Sequence, residues 1–437
     1  MTELHQGQRE AIAEYVKGIP INGTFFSING DSLNLLAKQI LKAPPWSEYL
    51  RRIDLIELIY NCTGRFEHHI PQGYVGQIDL SPIADLIPDI EKELTSFLES
   101  FPRPYCVCFQ LPMFSGFGMA STNLARDIAL LDTSAPSFQQ ALLRPNNALV
   151  EVLAGVAPKK FERDSAYIQF LVPGYASYSL SSYSVNRAYS RLKEFVFLGI
   201  QTNIILEKGL GNAFVEHSNQ YSDTSALHAL VYNRDNIQES YRTPLPDEAS
   251  KYLRWLRIDE TKLKTDVPGK TVLGGGTRAA ETHEEKATAL HAAFELAAEF
   301  LDIDPINSNA ERIRTAMEWY FDADITQNQT VSFIQRCIGL EAMLGVKGDD
   351  QIRSITDRLS DRYSYLLGDT ASERSVLKGQ FKKVYGKRSD LVHARRSILS
   401  LADEILDTES KSMLNKVVIK EVNGLLKALR KQKAETD

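Results

Sequence analysis

The chain has few cysteines and no long apolar run. Four cysteines, Cys62, Cys106, Cys108 and Cys337, are too few for a disulfide framework in 437 residues. No apolar stretch reaches the roughly 18 to 20 residues of a membrane span. The polar start MTELHQ lacks the pattern of a secretory signal. These absences predict a cytoplasmic protein with no membrane partner.

The chain also lacks a surplus of positive charge. Its 50 lysines and arginines stand against 56 acids, and the net charge of -6 argues against a general polyanion binder. Charge is uneven, however, because residues 376–437 hold 14 lysines and arginines against 8 acids. This allows a local phosphate or nucleic-acid site on an acidic protein, although a solvated helical face explains such a run more often.

Residues 1–258 mix helical and strand patterns, and we predict an α/β sensor or regulatory region of one or two lobes. A helical pattern covers 49–59. Strand patterns cover 105–111 and 166–172, and the runs at 195–200 and 202–206 are rich in β-forming residues.

Two cysteines lie on the strand at 105–111. Cys106 and Cys108 point to one face, and we interpret them as small buried thiols. A zinc site with Cys62, His68 and His69 is the less favoured interpretation, because the gaps between these residues fit no compact zinc pattern. No metal and no cofactor is expected.

Residues 259–282 are poor in apolar side chains and contain Pro268, Gly269 and three consecutive glycines at 274–276. This composition predicts a linker or long surface loop. A phosphate-binding loop is disfavoured, because no clear strand precedes the glycines and their spacing fits no known nucleotide motif.

Residues 283–437 predict an all-helical bundle, so the fold class is α+β. Capping-box spacing occurs at Thr282-x-x-Glu285, Ser308-x-x-Glu311 and Thr370-x-x-Glu373. The helices are predicted at about 283–302, 308–322, 328–344, 350–367, 371–397 and 409–432.

One apolar stripe of this bundle is interrupted by arginine. Leu377, Phe381, Val384, Leu391 and Ile398 follow a spacing of four and three residues, and Arg388 and Arg395 fall on the same row. A guanidinium there needs an anion, because an unpaired buried charge costs several kcal/mol. Glu341 lies on an apolar face of the helix at 328–344, so a structural pair of Glu341 with Arg388 is one explanation.

His393 is the feature that such an ion pair leaves unexplained. It lies about 140° round the helix from Arg388, whereas Ser389 and Asp390 share its face and are placed to orient the imidazole. An arginine and a histidine reaching round one turn can converge on one anion, more easily if a second copy of the helix faces them.

The sequence YGKRSDLVH at 385–393, with GLEAMLG at 339–345 upstream, resembles the Apea-like branch of the HEPN superfamily. The resemblance covers about residues 307–431. It implies a HEPN-like helical bundle that forms a homodimer and often acts as a metal-independent endoribonuclease in toxin or antiviral (abortive infection) systems. The family's arginine and histidine fall on Arg388 and His393, and its polar residue after the arginine falls on Ser389.

The chemistry of these residues suits RNA cleavage by the substrate's own 2′-hydroxyl. A guanidinium at Arg388 can hold the scissile phosphate and an imidazole at His393 can transfer a proton, with Asp390 orienting it. The expected partner is RNA, such as tRNA or mRNA, and the cations expected to attract its backbone are Lys383, Lys387, Arg395 and Arg396. The competing hypothesis is a non-catalytic interaction and dimerisation module, with specificity in the N-terminal region. The trigger sensed by that region is unknown.

Overall fold

A computed structural model describes most of the chain. The described residues are 2–23, 25–70, 81–115, 121–132, 135–136, 165–207, 226–259, 262–266, 277–279, 282–345, 354–393, 398–400 and 403–436. Over these residues the fold is α+β, which confirms the predicted class. A helical lobe comes first, a six-stranded antiparallel sheet follows, and the C-terminal part is all helical.

In its described residues the N-terminal lobe has five α-helices around their own core, and two 3-10 helices at Gly64–His69 and Ser81–Leu86. The helices are α1 (Gln6–Lys17), α2 (Gly30–Ile40), α3 (Trp46–Tyr49), α4 (Arg52–Thr63) and α5 (Ile87–Glu99), with a short strand pair of β1 (Ile21–Asn22) and β2 (Phe25–Phe26). Trp46 anchors the lobe, because its buried indole donates a hydrogen bond of 2.9 Å to the carbonyl oxygen of Leu98. The helix predicted at 49–59 corresponds to α4.

The main sheet has the strand order β4-β5-β6-β3-β8-β9, and every pair is antiparallel. Its strands are β3 (Arg103–Ser115), β4 (Ser121–Ala125), β5 (Ile128–Asp132), β6 (Ser165–Gly174), β8 (His228–Asn233) and β9 (Ser240–Pro244). The strands predicted at 105–111 and 166–172 are confirmed as β3 and β6. Period-two alternation puts Tyr105, Val107 and Phe109 in the main core, and Cys106 and Cys108 in a smaller core on the other face.

The apolar run at 195–200 is helical, so the interpretation as a strand is wrong. It forms the end of α6 (Tyr183–Gln201), in which residues 192–199 are all buried. A helix that is buried on every side loses the one-sided apolar stripe that normally identifies it. Its sequence is therefore as apolar as that of a central strand.

Short pairs of strands complete the region before the bundle. β7 (Ile205–Glu207) pairs with β10 (Leu256–Ile258), and α7 (Asp247–Trp255) leads into β10. Within the predicted linker, β11 (Lys264–Asp266) pairs with β12 (Thr277–Ala279). The predicted loop at 259–282 therefore carries a two-stranded element.

Seven α-helices are present in the described residues of the C-terminal part. They are α8 (His283–Ala293), α9 (Glu295–Leu301), α10 (Ser308–Ile325), α11 (Gln329–Leu344), α12 (Ile355–Leu367), α13 (Ala371–Val392) and α14 (Glu404–Thr436). The capping boxes at Thr282 and Thr370 are confirmed. The cap expected at Ser308 is instead Asn307, whose side chain accepts from two backbone amides of the first turn.

The sheet and the helical part share one continuous core, in which α6 packs on α10. Two ion pairs cross this seam. Lys193 lies 2.6 Å from Asp322, and the fully buried carboxylate of Glu194 lies 3.6 Å from Arg314. Among the described residues, no helix is long and apolar enough to cross a membrane.

Candidate active site at the end of helix α13

Helix α13 places Arg388 and His393 near its C-terminal end. The Thr370 hydroxyl and the Glu373 carboxylate fix the first turn as a capping box. Phe381, Val384 and Leu391 are buried and hold one face of the helix against the bundle. The helix ends at Val392 rather than at the predicted 397, and His393 is its C-cap.

Arg388 pairs with Glu341 of α11, at 2.9 Å between Nη2 and Oε1. The pair anticipated from the two apolar stripes is therefore present. The pair remains accessible to solvent, because the side chains of Arg388 and Glu341 are 20% and 25% exposed. The contact is an ion pair without hydrogen-bond geometry, because the buried atoms Arg388 Nε and Glu341 Oε1 make no hydrogen bond among the described residues.

Gly339 lets α11 approach its neighbours closely enough to position Glu341. A Cβ atom at residue 339 would lie 3.0 Å from a methyl carbon of Leu414 on α14 and 3.3 Å from Cβ of Trp319 on α10. Such distances are tight for any side chain larger than hydrogen. Close packing of α11 against α10 and α14 therefore explains why the first residue of GLEAMLG, Gly339, is a glycine.

Tyr385 completes the surroundings of the pair, although the sequence analysis gave it no role. The Arg388 guanidinium carbon lies 5.5 Å from the centre of its ring. Burial raises the pKa of Tyr385 to about 12, and the nearby Glu341 carboxylate, to which its hydroxyl is hydrogen-bonded, adds to the rise. Tyr385 lies three residues before Arg388, a helical spacing that could have identified it.

His393 lies at the solvent-exposed end of the same helix. Its backbone amide donates to the carbonyl oxygen of Ser389 at 3.0 Å, which keeps the residue in the last helical turn. Its side chain is exposed, whereas Ser389 and Asp390 on the preceding turn are partly buried. The imidazole is therefore open to a ligand on a well-ordered helical support.

The predicted RNA-binding lysines differ in environment. Lys383 is exposed on α13. Lys387 is buried, and its ammonium lies 2.6 Å from Asp403, just before α14. That contact holds the pKa of Asp403 well below its usual range, with Ser400 adding two hydrogen bonds. The ammonium of Lys387 thus joins α13 to the residue that precedes α14. Because it is buried in this ion pair, the predicted contact of Lys387 with RNA is wrong. Arg395 and Arg396 lie outside the described residues.

A second charge cluster lies deeper, also on α11. Arg336 donates hydrogen bonds of 3.0 Å to Asp324 and 2.5 Å to Asp407. Lys411 lies 2.9 Å from Asp324 and 3.1 Å from Glu207. These contacts join α10, α11 and α14 to strand β7. Burial acts to lower the pKa of Lys411, but Asp324, with Tyr320 and Glu207, raises it above the usual value.

The cysteines and histidines of the disfavoured zinc interpretation are not assembled into a site. All four cysteines are buried as free thiols. Burial raises the pKa of Cys62 to about 12 and that of Cys108 well above its usual value. Among the described residues, no cluster of histidine, cysteine and acidic side chains is arranged to hold a metal ion.

The end of α13 thus offers a partly exposed guanidinium and an exposed imidazole five residues later. These groups suit the binding of an anion and the transfer of a proton. No family model, no curated protein and no solved structure matches this chain.

Proposed function

We propose that this protein is a metal-independent endoribonuclease of the HEPN type, resembling the Apea-like branch. The observation that carries the proposal is the partly exposed Arg388 and the exposed His393 on one helix end. In this proposal the protein is cytoplasmic and serves antiviral defence by abortive infection. Its N-terminal region senses a trigger and regulates the site.

The proposed reaction is attack by the RNA's own 2′-hydroxyl. The 2′-oxygen loses its proton and bonds to phosphorus, while the bond from phosphorus to the 5′-oxygen breaks and that oxygen takes up a proton. His393 carries one of these proton transfers, and Arg388 neutralises the charge that builds up on the phosphate. Asp390 and Ser389 orient His393, and Lys383 attracts the backbone. The products are a 2′,3′-cyclic phosphate and a 5′-hydroxyl.

Glu341 occupies the position of a competing anion in this scheme. A substrate phosphate must replace Glu341 as the partner of Arg388. Because both side chains are partly exposed to solvent, this exchange costs little free energy. The exposed part of the Arg388 guanidinium is the part that the phosphate contacts in this proposal.

The outer face of α13 supports the proposed homodimer. Gly379 and Gly386 precede His393 at intervals of seven residues and are exposed, and a Cβ atom at either glycine would meet nothing within 4 Å. A glycine inside a helix costs about 0.5–1 kcal/mol relative to alanine. Nothing in the described chain packs on these two positions. Close packing of a partner helix would explain why both are glycine. A dimer through this face brings two His393 side chains together.

The test is incubation of the purified protein with total tRNA and with mRNA in the presence of a chelator. The proposal predicts cleavage with cyclic phosphate ends, no cleavage where the 2′-hydroxyl is methylated, and loss of cleavage in His393→Ala. Cleavage that persists in His393→Ala, or its absence in every activating condition tested, refutes the nuclease.

A second candidate is a non-catalytic interaction and dimerisation module, favoured by the Arg388–Glu341 pair itself. In that case Arg388 has a structural role, and the N-terminal region provides the specificity. Arg388→Ala then lowers the melting temperature, and His393→Ala changes neither stability nor any RNA-directed property. The cleavage assay with His393→Ala separates the two candidates.

A further inference from the structure

Helix α14 presents a straight row of lysines to solvent. Lys416, Lys420, Lys427 and Lys431 are all exposed. Their spacing of four, seven and four residues places them within an arc of about 60° and along about 22 Å of the helix. The opposite side of α14 is buried, with Val417, Val418 and Val422 among the core residues. The orientation of the row is therefore fixed by packing.

These lysines differ from the other cations of the bundle, most of which are paired. Lys378 pairs with Asp361, and Lys382 with Asp357. Lys416, Lys420 and Lys427 have no ion-pair partner within the described parts of the chain, and Lys431 has only the exposed Glu435 at 3.7 Å. In a protein of net charge -6, a row of four cations with a single ion-pair partner among the described residues is a local reversal of sign.

The surface between the lysines is small and polar. Asn423 and Gly424 lie between Lys420 and Lys427, and a Cβ at Gly424 would meet nothing within 4 Å. In the described part of α14 after Ile405, no large hydrophobic side chain is exposed. A helix that binds a membrane surface needs an apolar face to insert, and this face has none. A flexible polyanion needs only the charges and room to approach.

We propose that this row, defined by Lys416, Lys420, Lys427 and Lys431, is a docking surface for the phosphate backbone of RNA. The choice of RNA as occupant rests on the proposed function. The charge complementarity to a phosphate chain rests on the row alone. At about 3.4 Å per phosphate along one strand of a duplex, 22 Å accommodates about six phosphates. The row begins about 18 Å along α14 from its start at Glu404, next to the Lys387–Asp403 contact with α13. An RNA bound there makes contacts in addition to those at Arg388 and His393.

The test compares two variants of equal charge in a His393→Ala background, so that RNA is not consumed. The first carries Lys416→Gln, Lys420→Gln, Lys427→Gln and Lys431→Gln. The control carries the same change at four exposed lysines of the N-terminal lobe, Lys17, Lys38, Lys42 and Lys92. Glutamine is a good helix former, and a melting curve confirms that both variants are folded. Binding of a labelled single-stranded RNA of about 20 nucleotides is measured from low to high salt.

We expect the α14 variant to bind RNA about tenfold more weakly or worse at 0.1 M salt, with the slope of log K against log salt reduced by about 3. The control should match the background protein. Equal losses in both variants, or no loss in the α14 variant, overturn the proposal. The same measurement is made with DNA of the same sequence, and DNA binding tenfold tighter than RNA also overturns RNA as the occupant. Cleavage is not measured in this assay. Failure of the nuclease proposal therefore leaves the binding result interpretable.

Discussion

Helix α11 carries two charge clusters, one around Arg336 and one around Glu341, that differ in how much of their side chains solvent can reach. At Arg336, both terminal nitrogens make hydrogen bonds, and the exposed fractions are 8% for Arg336 and 3% for Asp324. Five residues later, Glu341 meets Arg388 in a single contact, with both side chains at least one-fifth exposed. The comparison shows that neighbouring ion pairs on one helix can differ sharply in solvent exposure.

The difference follows from solvation. A buried charge without its partner costs several kcal/mol, so a network such as that of Arg336 fixes the arrangement of α10, α11 and α14. A partly exposed pair contributes little net stability, because water competes for both partners. Its partners can be exchanged at low cost, which is what a phosphate-binding arginine requires.

The largest predicted effect is at the closed cluster. Arg336→Ala leaves the buried Asp324 with Lys411 as its remaining cation and removes the cation paired with the partly exposed Asp407. We expect a loss of about 3–5 kcal/mol in the free energy of unfolding. Urea denaturation of the purified protein measures it. The matched control is Arg430→Ala, which removes an exposed partner of Glu299 and should hardly move the midpoint. Equal effects from the two variants contradict the distinction between closed and open pairs.

Glu194 sharpens the comparison, because it is buried and yet lacks hydrogen bonds among the described residues. Burial raises its pKa to about 7, against the opposing influence of Arg314, Arg187 and Arg191. Burial also lowers the pKa of Arg314 despite its pairing with Glu194. Both shifts have the sign expected when desolvation outweighs attraction in a loose pair.

The raised pKa gives a defined pH dependence. The native state holds the Glu194 proton more tightly than the unfolded chain, so ionisation costs stability as pH rises from about 4.5 to about 7. Glu194→Gln mimics the protonated form. We expect it to match the wild type near pH 5 and to be more stable at pH 8 by about 1–3 kcal/mol. Urea denaturation across this range measures the difference, with the exposed Glu299→Gln as control. A difference that does not grow with pH refutes the prediction.

A smaller effect on stability is predicted at the open pair. Arg388→Ala should cost about 1 kcal/mol, because both partners already contact solvent. Glu341→Gln should cost a similar amount while removing the competitor for Arg388, so RNA should bind more tightly to this variant. Denaturation and RNA binding of the two variants are measured in parallel. If Arg388→Ala lowers the free energy of unfolding as much as Arg336→Ala does, the Arg388–Glu341 pair has a structural role like that of Arg336, and the prediction is wrong.

Local signals explain what the sequence predicted well. The caps at Thr282 and Thr370 depend on four neighbouring residues, so spacing alone identifies them. Glu341 and Arg388 were matched because each interrupts an apolar stripe. The cap of α10 was misassigned by one residue, because Asn307 and Ser308 are both good N-cap residues and Asn307 is the one that caps the helix.

Tertiary structure determined what the sequence could not show. The run at 195–200 is helical because a buried helix and a buried strand share one composition. The contact of Lys387 with Asp403 depends on how the chain returns from α13 to α14, which no periodicity encodes. An arginine that binds RNA and an arginine in an ion pair have the same sequence signal. Greater solvent exposure of the side chain, 20% against 8%, distinguishes Arg388 from Arg336.

The proposed function depends most directly on His393, whose side chain is exposed and has no part in the core. The decisive measurement is the RNA cleavage rate and the unfolding free energy of wild type and His393→Ala, taken on the same preparations with chelator present. The account predicts that cleavage falls by about 100-fold or more and that stability changes by less than about 0.5 kcal/mol. Cleavage by His393→Ala at the wild-type rate would contradict it.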